Sequence, residues 1–590
     1  MLKQVQVAVV SSVDSKHSTM KDRAPGKVKA KVAATQPVRG VSKKPVAEPR
    51  PRLNVLLAFL SKYALAGCVL LILIGSARIV STYTVFNHTI DEPAHLACGM
   101  EWLSKGTYHY EDQHPPLARV AAAFLPWMAG LHSWNRPLMY NEGAAILYTD
   151  GGVHYDRNLA LARLGILPFY WLACLVVFLW ARWTFGPLTA FLATLLFSTL
   201  PPVLAHAGLA TTDMALTAFC AAAFYALLRW TATPTPLLTA LFGVTLGLAL
   251  LSKLSFLVYF PAAVVASALW FRFREKIPLA ALRRDFARRA LLLAAAVGIA
   301  VVIVWAGYRF SVGHAHFGWT VPAPEFFNGI ETVRKHNAEG NPSYMLGKRS
   351  HSGFWYYYFV DLAIKTPLGV LLLLPVGIVL VVREKRAAAA IPLAFCVAIL
   401  SVAVFSRINI GVRHVLPLYV GFAIIAAYGA ERMLKARATW VVAVAGVLAI
   451  WPLLSSALAH PDYIPYFNEI VASQPEDWVV DSDYDWGQDM KRLSAKLREL
   501  GATQVSFTPF IVAHLERVHG FPPMRDNDPV NPDPGWNAIS PTNWKQARLG
   551  LFENHPEVAL WPDFVRPTDH AGTILLYYFA PRSAQPGRVR

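Results

Sequence analysis

Charge is scarce in this 590-residue chain: 16% of its residues are Asp, Glu, Lys or Arg, against about 25% in an ordinary soluble protein. Acidic residues are the scarcer sign, 37 against 55 Lys and Arg, so the formal net charge is +18. Cysteine is nearly absent. Of the five, Cys68, Cys174, Cys220 and Cys396 fall in apolar stretches, where a thiol acts as a small hydrophobe. No C-x-x-C pair occurs, which excludes a disulfide framework or a thiolate metal site. The first apolar run begins near Leu53, beyond the reach of a cleavable signal, and is long enough to span, so it reads as an uncleaved anchor. No internal repeat is visible, and the inverted-repeat plan of many secondary transporters has no support.

What the chain has instead is apolar surface, with 55% hydrophobic residues and a mean hydropathy of +0.37. It reads as an integral membrane protein. Runs of spanning length, about 17–25 residues, occur near 54–76, 159–181, 187–205, 214–230, 236–252, 254–271, 290–307, 362–382, 388–405, 415–431 and 438–458. The shorter run 117–131 reads as an interfacial helix. Residues 1–52 carry twelve Lys or Arg against three Asp or Glu, a polar basic tail expected to be disordered and cytoplasmic. With that tail inside, every other loop that falls inside is basic: Arg182, Arg229, the run from Arg272 to Arg289, Arg383 to Arg386, and Arg432 to Arg437. Topology therefore accounts for the positive charge, and nucleic acid is not an expected partner. The expectation is an all-α polytopic membrane protein of about eleven transmembrane helices in a bacterial inner membrane. Its loops 77–158, 308–361 and 406–414 and everything after about 460 then lie outside the cytoplasm.

From about 460 the chain changes character. Strand-like runs at Trp478–Val480, Gln504–Phe507 and Thr573–Phe579 alternate with a helix-like run from Gln488 to Leu500, as in a small soluble extracytoplasmic α/β domain, 460–590, following a membrane unit, 53–459.

Chemistry concentrates on the outer face. The first loop begins Asn87-His88-Thr89-Ile90-Asp91-Glu92-Pro93-Ala94-His95. Thr89-x-x-Glu92 fits a capping box, and Asp91 ahead of Pro93 suits a helix start. Equally, a carboxylate held there can act as a general base at the rim of a cavity. Glu111, His114 and Arg119 surround Pro115-Pro116-Leu117, either as a polar turn or as a charged site. Asp213, after Thr211-Thr212, opens a span with no other charge before Arg229, and is either a cap or a functional group. Asp481-x-Asp483-x-Asp485 invites calcium, but Trp486 and Arg492 stand where an EF-hand needs Gly and Glu, and the reading is rejected.

Asp91-Glu92, His114-Pro115-Pro116-Leu117, Thr212-Asp213 and Leu251-Ser252-Lys253 together resemble the GT-C glycosyltransferases, in particular the polyprenyl-phosphate-sugar-dependent branch with the protein O-mannosyltransferases and the lipid A aminoarabinose transferase. Tyr344–His351, Trp355–Leu368, Asn409–Pro417, His460–Asn468 and Asp481–Asp489 extend the likeness to bacterial phospholipid-carrier-dependent members. The resemblance implies a GT-C fold. It also implies transfer of a monosaccharide from a polyprenyl-phosphate donor to an extracytoplasmic hydroxyl on protein, lipid A or a surface glycan, by a single inverting displacement. Asp91 is then the base, with Glu92 and Asp213 orienting it or the acceptor. His114, Lys253, Arg349 and Arg413 are the candidate phosphate contacts, and His95 and His414 lie on the acceptor side. Lys253 has the alternative of snorkelling to the interface. Gln113-His114 replaces the Glu-Lys of the aminoarabinose transferase, so that relative's metal ligand and phosphate-binding lysine do not carry over, and no spacing here supports a divalent metal. A transporter or flippase of lipid-linked sugar is the rival reading.

Overall fold

The computed structural model describes residues 51–471, 473–550 and 557–581; the basic tail up to residue 50 lies outside them. Each of the eleven apolar stretches is helical. Five helices are long and apolar enough to cross a membrane: Tyr155–Thr184, Asp213–Ala232, Phe256–Arg274, Leu279–Gly307 and Thr439–Ala459. Three further segments are bent pairs, Arg52–Lys62 with Ala64–Val80 (77°), Pro187–Ser198 with Pro201–Ala207 (66°), and Tyr357–Lys365 with Leu368–Arg383 (116°). Pro201, Pro202 and Pro367 stand at two of these breaks, where a missing N–H and a ring clash end a helix. Leu418–Leu434 runs through the middle of the bundle, buried along most of its length, and packs on both Pro187–Ser198 and Leu368–Arg383.

The two ends of the bundle differ in chemistry. At one end the basic loops touch each other: Arg274 donates to the Glu384 carbonyl, Arg386 to that of Thr184, Arg289 to that of Thr231, and Tyr428 to the Glu384 carboxylate. At the other end lie Asp91, Asp213, Lys253 and Arg413. A periplasm-dependent reporter fused after residue 275, 385 or 435 should therefore be silent, while fusions after 150 and 340 should be active. A signal at 275 overturns this orientation.

Pro236–Leu250 has 15 residues, about 22 Å of rise, short of a hydrocarbon core of about 30 Å. In the Leu251–Ser255 turn that follows it, Lys253 is buried. The short run near 117–131 forms the helix Pro116–Met128, with Ala118, Arg119, Ala122 and Ala123 turned inward and Phe124, Trp127 and Met128 exposed. It lies on the loop helix Asp91–Lys105, where a Cβ on Gly99 would sit 2.0 Å from the Arg119 carbonyl oxygen. Gly99 thus sets how closely these two site-bearing helices approach.

The C-terminal segment holds a five-stranded mixed sheet in the order Met524–Arg525, Val505–Ser506, Gly535–Ile539, Ile574–Phe579, Asp569–Ala571. The first three strands are parallel, and Ile574–Phe579 runs antiparallel to both its neighbours. The amphipathic helix Met490–Glu499 buries Met490, Leu493 and Leu497 beneath it, against Val505, Phe507 and Leu576. Two expected strands and the helix appear near their predicted places. The run Trp478–Val480 does not join the sheet; Val479 makes one isolated bridge to Met345. Gly535–Ile539, the centre of the sheet, begins with Gly and has Asn537 inside it, which masks its strand pattern.

Candidate functional site

Separate stretches of the chain converge on one cleft of about 480 Å3, lined among others by Asp91 and His95 from Asp91–Lys105, Glu111, His114 and Arg119 from the following turn and helix, Lys253 from the turn after Pro236–Leu250, Arg413 and His414 from the 3-10 turn Val412–Val415, and Asp481, Trp486, Thr542 and Asn543 from the C-terminal segment.

The adjacent carboxylates Asp91 and Glu92 part company at the helix start. Glu92 turns inward and is buried. It pairs with the equally buried Arg163 at 2.8 Å, accepts from the Ala210 N–H at 2.9 Å, and reaches back to the Thr89 N–H at 2.8 Å. That last bond is one half of a capping box. Burial alone would raise this carboxyl, but Arg163 and the backbone donors hold it below the ordinary value. Glu92 does not line the cleft, so the catalytic expectation for it is corrected to an architectural one. Asp91, partly exposed, turns into the cleft and receives a hydrogen bond from Arg413 Nη1 at 2.8 Å.

Arg413 is fixed from three sides: its Nε donates to the Ile410 carbonyl, its guanidinium lies 4.2 Å over the Trp486 ring, and Nη1 stands 3.9 Å from Asp213. Burial opposes its charge, but Asp91 and Asp213 more than offset this, so it stays protonated. Asp213 is buried behind the cleft wall and pairs with Lys253 at 2.6 Å. It contacts the two cations and does not line the cleft, so of the two roles expected for it, orienting the acceptor or orienting the base, this placement disfavours the first. Arg349 is also displaced: its Nε donates to the Lys545 carbonyl at 2.6 Å, away from the cleft.

The histidines are neutral groups. Burial, then Arg119 and His114, push His95 well below the usual imidazole value, and its Nδ1 accepts from Arg119 Nε at 3.0 Å. Burial lowers His414 to about 3, with Lys253 adding to the shift. Burial also lowers His114 against the pull of Glu111, whose carboxylate lies 3.2 Å from its Nδ1. A neutral His114 that donates there leaves Nε2 an acceptor, so contact with a phosphate requires the protonated ring. Burial favours a protonated Glu111, but Arg119 and His114 hold its carboxyl well below the usual range.

Sequence reasoning singled out neither Asp481 nor Trp486 as a site residue, and Thr542 and Asn543 not at all. Asp481 lines the cleft beside Arg413 and Asp91, and burial raises its carboxyl. Asp483 accepts from the Val412 N–H at 3.0 Å and so anchors the turn that carries Arg413. Among the described residues no group of three or more His, Cys, Asp or Glu is placed to hold a metal ion.

From the near end of the same cleft runs an apolar groove of about 440 Å3 between Phe256–Arg274 and the end of Ala387–Ala403, and it shares Leu254, Ser255, Ile408 and His414 with the cleft.

A family model described as dolichyl-phosphate-mannose-protein mannosyltransferase matches residues 69–317. The match agrees with the resemblance seen in the motifs and takes in Asp91, His114, Asp213 and Lys253. No curated protein matches. Among solved structures, ArnT from Cupriavidus metallidurans bound to undecaprenyl phosphate is similar at 14% identity and a TM-score of 0.48, over 86% of this chain and 97% of that one. The archaeal oligosaccharyltransferase AglB from Archaeoglobus fulgidus, in complex with an inhibitory peptide and a dolichol-phosphate, is similar at 15% identity and a TM-score of 0.41, over 68% and 56%. The S. cerevisiae protein O-mannosyltransferase complex bound to the sugar donor is similar at 16% identity and a TM-score of 0.33, over 45% and 36%.

Proposed function

We propose that the protein transfers a monosaccharide from a polyprenyl-phosphate carrier to a hydroxyl outside the cytoplasm of a bacterium, with the N-terminus inside and the cleft on the opposite face. The observation that carries this reading is the meeting of Asp91 with Arg413 in a cleft from which an apolar groove departs. A lipid-linked sugar phosphate needs all three: a base for the acceptor, cations for the departing phosphate, and a dry path for the tail. The family match over residues 69–317 supports the same chemistry.

In this mechanism the Asp91–Arg413 pair is the resting state. The incoming phosphate competes with Asp91 for the Arg413 guanidinium, which Ile410 and Trp486 hold in place. Asp91 then takes the acceptor proton as the hydroxyl oxygen attacks the anomeric carbon. The bond from that carbon to the phosphate oxygen breaks, and the carrier phosphate leaves against Arg413 and Lys253. One displacement inverts the anomeric centre. The direct test incubates purified protein with undecaprenyl-phosphate-linked radiolabelled hexose and envelope acceptor. Consumption of the donor with label appearing in the acceptor is expected, and an intact donor overturns the reading.

Arg413→Ala should weaken donor use by about 1.5–3 kcal/mol, the worth of one charge-assisted hydrogen bond. Lys253→Ala alone would take from the buried Asp213 carboxylate its hydrogen-bonded partner and leave only the longer Arg413 contact, so the informative variant is Lys253→Met with Asp213→Asn. Donor kinetics unchanged in both proteins would remove the two cations from the site.

A further inference from the structure

A second cavity, of about 440 Å3, lies where the C-terminal sheet meets the helix Pro541–Gly550, and it shares Pro342, Asn543 and Gln546 with the cleft. The two cavities are therefore neighbours across these three side chains. Its polar groups have one orientation in common. Asn527 Nδ2 donates to the Ala538 carbonyl at 3.0 Å and to that of Ser506 at 3.3 Å. Asn543 Nδ2 donates to the Thr508 carbonyl at 3.0 Å, and Gln546 Nε2 to that of Pro342 at 3.4 Å. Because a backbone carbonyl only accepts, each of these bonds uses an amide N–H and leaves the amide oxygen for a donor; Asn527 spends both its N–H groups this way, while Asn543 and Gln546 each have a second. Asn527 Oδ1 is buried without a partner among the described residues, a state that costs free energy unless a ligand or water fills it. Trp544 adds an aromatic wall, with the Lys545 ammonium 3.9 Å from its ring centroid.

We infer that this cavity is the acceptor subsite and that it takes a neutral saccharide. The inference rests on the transferase reading above and names the acceptor class. Outward amide oxygens suit the hydroxyl donors of a sugar, and the electron-rich face of Trp544 suits the C–H face of a pyranose ring. A phosphorylated lipid acceptor needs fixed cations; no Lys or Arg is among the described lining residues, where His351 is the one ionisable side chain. A peptide acceptor held by strand addition needs an unpaired strand edge, whereas the cavity is walled by Ala538 and Ile539 of the central strand, and neither edge strand lines it.

The test uses the full chain in detergent and saturation-transfer NMR with the methyl β-glycosides of glucose, galactose, mannose and N-acetylglucosamine. A Ser/Thr peptide and bis-phosphorylated lipid A serve as comparators. Saturable transfer from at least one glycoside is expected, with half-saturation raised about 2- to 10-fold by Asn543→Ala and by Trp544→Ala. Two variants are needed because Trp544 also packs beside Ile539 and Trp561, and Asn543→Ala removes only a partly exposed amide. The inference is overturned if no glycoside saturates, if both variants bind as wild type does, or if only the peptide or lipid A shows variant-sensitive contact. Donor consumption by the wild-type protein is measured separately, so failure of the transferase reading and failure of the saccharide subsite are distinguishable.

Discussion

Asp91→Asn yields a folded protein that still binds the lipid donor and transfers sugar slower by roughly 10²–10⁴, the range for loss of a general base. Asn caps a helix about as well as Asp, and the helix start is secured by Glu92 and by the Ile90 N–H bond to the Trp486 carbonyl, so the loss does not arise from melting. Donor turnover beside a thermal-unfolding curve checks this. A translocating protein behaves differently, since carrying a lipid-linked sugar needs no base and survives the change with altered affinity alone. Should the folded variant turn over within a few fold of wild type, Asp91 is only the counter-ion of Arg413. Asp481, the remaining carboxylate beside that guanidinium in the cleft, is then the next to replace.

Glu92→Ala, one residue away, fails in another manner. It leaves Arg163 charged and fully enclosed, and breaking one side of a buried ion pair costs about 3–5 kcal/mol, a large part of the stability of a typical domain. Size-exclusion chromatography should show little monodisperse protein, and what survives should unfold at much lower temperature. Glu92→Leu with Arg163→Met should recover much of that loss, because a packed apolar pair escapes the desolvation cost. If Glu92→Ala is instead stable and inactive, the residue belongs to the chemistry after all. The pH dependence has a definite sign. The Glu92 carboxyl is held below its unfolded value, so its contribution is complete above about pH 4.3, the unfolded value, and is lost as pH falls through the lower folded value.

These two neighbours show where sequence reading stops. Helical geometry places consecutive side chains about 100° apart, so Asp91 and Glu92 had to face different surroundings, but which one met the cleft depended on Arg163 and Arg413, far along the chain. Apolar length, which the bilayer imposes locally, marked helical segments among the described residues but not the sharp breaks inside the runs 187–205 and 362–382. Asp91, Lys253 and Arg413 were legible because ionisable groups at the outer ends of apolar helices need a partner or a role. Trp486 and Asn543 carried no such mark: an aromatic and an amide in a polar segment are ordinary, and their place in the site comes from how the C-terminal segment docks. Arg349 looked the same in sequence as Arg413, yet a strand carries it to the Lys545 carbonyl instead.

That docking fixes the order in which the molecule can mature. Asn87 donates to the Gly487 carbonyl and accepts from the Met490 N–H, at 2.7 Å each, across separations of 400 and 403 residues. At about 5–20 residues per second, the ribosome needs tens of seconds to deliver Trp486 after Asp91 has been made. For most of that interval Arg413 has not been made, and through all of it Trp486 has not. A nascent chain therefore carries Asp91 before its counter-charge and the far wall of its cleft exist, and the cleft is complete only when the last segment meets the first.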